Sequence, residues 1–125
     1  MDSSAFVKLS LREAELKALL PALAEWDGYV SSALLGVEAV RACGWYGDIY
    51  AADARSFLLD VAMLPMDDAV LAEAASIDPP LLRSLDALHL ATALSVRDEI
   101  GAFLTYDEKL AGVARERGLP VLSPA

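Results

Sequence analysis

The chain predicts an α/β fold: a three-layer sandwich with a central parallel sheet flanked by helices. Two observations point there. Short β-like runs alternate with helical stripes along the whole length, and no low-complexity linker or internal repeat interrupts them. A chain of 125 residues, 56% of them hydrophobic, also supports one well-filled core and leaves no room for a second. A single domain over residues 1–125 is therefore expected.

Taken in order, residues 12–20 open with a helix. Leu16, Leu19, Leu20 and Leu23 form the i, i+3, i+4, i+7 stripe of a core-facing surface, and Pro21 is expected to kink or split it. Asp27-Gly28 marks a turn, after which Gly28 to Ser31 reads as a short strand. Ser31 or Ser32 can cap the next helix, which runs to about Cys43. Gly44 and Gly47 loosen the chain before a helix from about Tyr50 to Ala62, and Met63 to Met66 reads as a strand. Asp67 starts a helix through Ala75, and Asp78-Pro79-Pro80 forces a loop. Ser84 to about Val96 gives the clearest helix, carrying Leu85, Leu88, Leu90 and Leu94 with alanines between them. Ala102 to Thr105 is a strand. Asp107 to Arg117 is a helix stopped by Gly118, and Leu119 to Leu122 is the last strand. Ligands of such folds bind beyond the carboxyl ends of the strands, where strand order reverses.

Composition narrows the function. No apolar stretch approaches the roughly 20 residues that span a bilayer, and no basic-then-apolar start marks a signal peptide. The single cysteine, Cys43, has no internal partner and reads as a small core residue. These features favour a cytoplasmic protein away from the membrane. A net charge of −9 argues against a basic nucleic-acid surface. It suits a basic protein partner or a site that takes a cation.

Asp2, Glu38, Asp86 and Asp107 are the candidate site. Asp107 follows Leu104-Thr105-Tyr106 and can equally be an N-cap. Asp86 lies in a first helical turn, where the macrodipole alone favours a carboxylate. Glu38 stands in the apolar run Leu34 to Arg41, with Arg41 three residues on as a possible ion-pair partner. Asp2 lies beside the start of the chain. Together, four carboxylates from separate segments at one crevice would raise one another's pKa. A hard divalent cation such as Mg²⁺ or Mn²⁺ would relieve that. His89, the only histidine, reads more readily as a core histidine or one that supports the site from behind than as a metal ligand, for which the sequence offers no partner histidine. Ser4 and Thr105 are supporting residues, with Thr105 able to hydrogen-bond a carboxylate. Trp26 and Trp45 read as core or interface anchors.

These residues resemble those of the PIN-domain ribonucleases, specifically the VapC-type toxins of toxin–antitoxin pairs. The resemblance covers almost the full length. It rests on Asp2-Ser3-Ser4-Ala5, Glu38 between Ser32 and Arg41, the run Leu82 to Ala93 around Asp86, Thr105 to Leu110 around Asp107, and Gly118-Leu119-Pro120-Val121. It implies a Mg²⁺- or Mn²⁺-dependent endoribonuclease with Asp2, Glu38, Asp86 and Asp107 as its acids, commonly a homodimer. It also implies a cognate VapB-type antitoxin with a basic tail. In this reading Asp2 and Asp86 hold the principal ion, Asp107 completes or water-bridges its shell, and Glu38 orients or deprotonates the attacking water. Arg12, Lys17, Arg41 and Lys109 are left to meet the RNA backbone. One departure from the family stands out: a few apolar residues usually precede the first aspartate as the central strand, and here only Met1 does. Either the chain begins at an internal methionine or the first strand is shorter, which could misplace Asp2.

Two related chemistries lack residues they need. A receiver domain with Asp67 as phosphoacceptor and Thr105 as switch would need an acid paired with Asp2, where Ser3 stands, and a lysine ending the last strand. A haloacid-dehalogenase-type phosphatase would need an aspartate where Ser4 is. The non-enzymatic alternative is an inactive PIN-like domain that only binds a protein partner.

Overall fold

A computed structural model describes residues 1–6, 15–77 and 82–125. The chain order is α1 (Leu16–Ala24), β1 (Tyr29–Ser32), α2 (Leu34–Gly44), α3 (Asp48–Leu58), β2 (Val61–Leu64), α4 (Asp68–Ser76), α5 (Ser84–Ser95), β3 (Phe103–Leu104), α6 (Glu108–Glu116) and β4 (Val121–Leu122). Residues 3–6 form one further helical turn. The loop expected at Asp78-Pro79-Pro80 lies outside the described residues, as do Arg12 and the start of the first expected helix.

Local chemistry explains most boundaries. The Ser32 hydroxyl accepts a hydrogen bond from the Leu34 N–H at 3.2 Å, which opens α2. Asp67 and Asp107 are N-caps, accepting from Val70 N and Leu110 N, each at 2.9 Å. Gly118 ends α6 at φ +85°, and Leu119 N then reaches back to Ala114 O at 3.0 Å. Gly101 serves a different need: a Cβ there would lie 2.2 Å from the Trp26 ring.

Two expectations fail locally. Pro21 does not split α1; it stands exposed within a continuous helix anchored by buried Leu19. The helix expected to reach Ala62 stops at Leu58. Leu59 N and Asp60 N turn back onto Ser56 O and Phe57 O, and Val61 is already in strand register with Tyr29. β2 therefore starts at Val61, not Met63.

Helices cover parallel strands as expected, but the sheet comes in two halves. β1 pairs with β2 and β3 with β4, both parallel. Residues 1–2 bridge them. The Met1 amino group donates to Val30 O at 3.2 Å, the Ser31 hydroxyl donates to Met1 O at 2.6 Å, and Asp2 N donates to Leu104 O at 3.2 Å. Burial pushes the Met1 amine down to about 6, with the charge of Asp2 opposing that shift.

Successive residues of β3 face opposite layers. Phe103 joins Leu90, Leu110 and Val113, whereas Leu104 joins Ala5 and Leu19. A third cluster holds Phe6, Leu35, Ala39 and Cys43. Neither tryptophan is core: Trp26 is 39% and Trp45 88% exposed. Trp45, Tyr46 and Ile49 stand in solvent at the turn between α2 and α3.

Candidate active site

Asp2 is the most firmly held of the four acids. It follows Met1 out of the slot between the two half-sheets and caps the helical turn at 3–6. Its Oδ1 accepts from Ser4 Oγ at 2.7 Å and Ala5 N at 3.4 Å; its Oδ2 accepts from Thr105 Oγ1 at 2.9 Å. Those hydroxyls are themselves fixed, Ser4 Oγ by Tyr106 N at 2.9 Å and Thr105 Oγ1 by Asp107 N at 3.1 Å. Asp2 is 2% exposed. Ser4 and Thr105, the two residues expected to support the site, both donate to the Asp2 carboxylate.

Asp107 uses Oδ1 for its cap, and the residue also lines a cavity with Asp2. The cap reading holds, and it leaves the second carboxylate oxygen uncommitted to the cap. Asp86 lies in the first turn of α5, and among the described residues no donor of this kind meets its carboxylate. Its carboxyl is pushed up from the ordinary 3.8. Burial is the largest cause; repulsion from Asp107, Asp2 and Glu38 adds to it, and His89 opposes it.

Glu38 does not pair with Arg41. Its Oε1 meets Nε2 of His89 on α5, with the imidazole buried and the Glu38 side chain 19% exposed. The sequence offers no signal for this partnership, which spans 51 positions.

All four acids line one open cavity of about 880 Å³, together with Arg41 and Arg83. An adjoining groove of about 410 Å³ shares Arg83, Asp86 and Asp107 and adds Lys109. Arg83 was missed by sequence reasoning, although its place just before Ser84 and Asp86 was a usable signal. Lys17 is exposed on α1 and lines neither space. A smaller cavity of about 60 Å³ beside Met1 is lined by Leu23, Trp26, Val30, Leu104 and other apolar groups. Tyr29 also lines it, with its hydroxyl donating to Leu23 O at 2.5 Å.

The donor set suits a hard cation: carboxylate oxygens, a wide opening and an Asp86 whose carboxyl is raised by burial first and by its acidic neighbours second. Among the described residues, however, no three His, Cys, Asp or Glu side chains are grouped to hold an ion. Direct joint ligation by Asp2, Asp86 and Asp107 is therefore not preformed. An ion that keeps several of its waters fits this spacing better than a bare one.

Comparison with known proteins adds an independent line. The PIN domain family matches residues 1–116. Ribonuclease VapC47 of Mycobacterium tuberculosis (strain CDC 1551 / Oshkosh) is 38% identical over 129 residues, covering 99% of this chain and 95% of that protein. Ribonuclease VapC46 of strain ATCC 25618 / H37Rv is 38% identical over 125 residues, covering 100% and 96%. Ribonuclease VapC35 is 34% identical over 132 residues, covering 99% and 95%. No solved structure matches significantly.

Proposed function

We propose a function from one premise: the chain belongs to the PIN-domain family, in its VapC-type branch. It is a divalent-metal-dependent endoribonuclease, the toxin of a toxin–antitoxin pair. The observation that carries this reading is the convergence of Asp2, Glu38, Asp86 and Asp107 on one cavity, with Asp86 raised partly by its three acidic neighbours. The motive for an inert binder is the near-absent first strand; against it stands the hydrogen bonding of the Asp2 carboxylate by Ser4 and Thr105.

Asp2, Asp86 and Asp107 would hold Mg²⁺ or Mn²⁺, which supplies charge neutralisation at the scissile phosphate and a more acidic water. Thr105 and Ser4 keep Asp2 in one rotamer. Glu38 accepts the proton of the attacking water, and in-line displacement leaves a 5′-phosphate and a 3′-hydroxyl. Arg41, Arg83 and Lys109 flank the acids and meet neighbouring phosphates, giving an acidic chain a local basic rim. The partner is a cognate VapB-type antitoxin with a basic tail, matched to the net charge of −9. A cytoplasmic homodimer completes the reading. No helix among the described residues is long and apolar enough to cross a membrane.

The test is incubation of purified protein with cellular RNA and either ion, with chelator and Asp86→Ala as controls. Metal-dependent fragments bearing 5′-phosphates are expected from the native protein only. Cleavage that survives both controls, or none with either ion, overturns the proposal.

A further inference from the structure

We infer that His89 is a positioning residue for Glu38, holding that carboxylate at the edge of the acid cavity. This rests on the reading of the cavity as an RNA-cleaving site.

Helix α5 delivers two groups to the same region, one turn apart. Asp86 faces the cavity, and His89 points past it to the carboxylate on α2. His89 is 2% exposed, so its ring is fixed by packing and cannot wander. The contact takes Oε1 of Glu38 and leaves Oε2 for the cavity that Glu38 lines. Of the two neutral tautomers, only the one with its proton on Nε2 donates to a carboxylate.

The opposite ring nitrogen shows what this arrangement costs. Nδ1 is buried and has no hydrogen-bond partner among the described residues. Behind the ring, a cavity of only about 10 Å³ touches Ser31, Ser32 and Thr92. Two of those hydroxyls are committed elsewhere, Ser31 to Met1 O and Thr92 to Leu88 O. A residue needed only to fill the core would avoid an unpaired polar atom, since a phenyl or isobutyl group fills such space without one. The imidazole is explained by its Nε2 side. There it replaces the search a free glutamate side chain would make among its rotamers with one fixed orientation.

The experiment compares His89→Phe, which keeps the ring and removes the donor, with His89→Gln, which returns an N–H near the Nε2 position. His89→Phe is expected to lower kcat about 10- to 100-fold with KM little changed, as loss of an orienting partner does. His89→Gln is expected to recover most of that rate even if it packs less well. Native kcat in His89→Phe, or equal losses in both variants, overturns the inference. A double-mutant cycle of urea midpoints for His89→Phe and Glu38→Gln needs no cleavage. Non-additive midpoints are expected, and strict additivity also sinks the inference. If the native protein fails to cut RNA while the cycle is non-additive, the functional reading has failed and the contact has not.

Discussion

The two sides of the acid cavity hold the same kind of group in opposite ways. Asp2 and Asp107 are bound by the backbone and hydroxyls of their own surroundings: caps, Ser4 and Thr105. Glu38 and Asp86 come from the middle and the first turn of longer helices. One leans on a histidine from another helix, and the other carries the cost of its neighbours' charge. The first side is built to stay where it is. On the second, Asp86 carries a charge that burial and its acidic neighbours disfavour, which is what a cation can use.

Asp86→Asn tests that contrast most severely. It should end cleavage while raising the thermal midpoint, because the substitution removes a charge that the fold disfavours. A lower midpoint would mean that Asp86 is a stabilising cap and that the second side has been misread.

Thr105→Val attacks the held side. It strips the donor from Asp2 Oδ2 and the acceptor from Asp107 N, which should cost about 1–3 kcal/mol in urea unfolding. A change within a few tenths would show that the hydroxyl network does not hold Asp2.

Asp107 separates capping from chemistry. Asparagine caps nearly as well as aspartate, so Asp107→Asn should leave stability almost unchanged, whereas Asp107→Ala should cost about 1 kcal/mol. Both should lose cleavage. Retained activity in Asp107→Asn would remove that carboxylate from the site.

The smallest effect is in pH. A carboxyl whose folded value lies above 3.8 leaves the native state with more bound protons than the unfolded one. Its contribution to stability is full below 3.8 and is lost as pH rises through the folded value. Denaturant midpoints of the native protein should therefore fall relative to Asp86→Asn across that rise. Parallel curves would show that Asp86 titrates normally.

Much of the fold was legible where a local signal controls local structure. Asp67, Asp107, Ser32 and Gly118 mark helix ends through bonds to residues a few positions away, and α5 is named by its own leucines and alanines. The four acids were found because each occupies such a marked place or an apolar run. What escaped was set at long range. The Glu38–His89 pair joins two helices, the Thr105–Asp2 bond crosses 103 positions, and the early end of α3 follows from Val61 pairing with Tyr29. No single segment records those choices, because they belong to packing between segments.

The two tryptophans make the protein optically lopsided. Trp45 is already in water when the chain is folded, so melting changes its surroundings little, while Trp26 rests against Gly101. Intrinsic emission during unfolding will therefore report chiefly on the junction between α1 and the approach to β3. A spectroscopist who wants a signal from the acids will have to put a dye there.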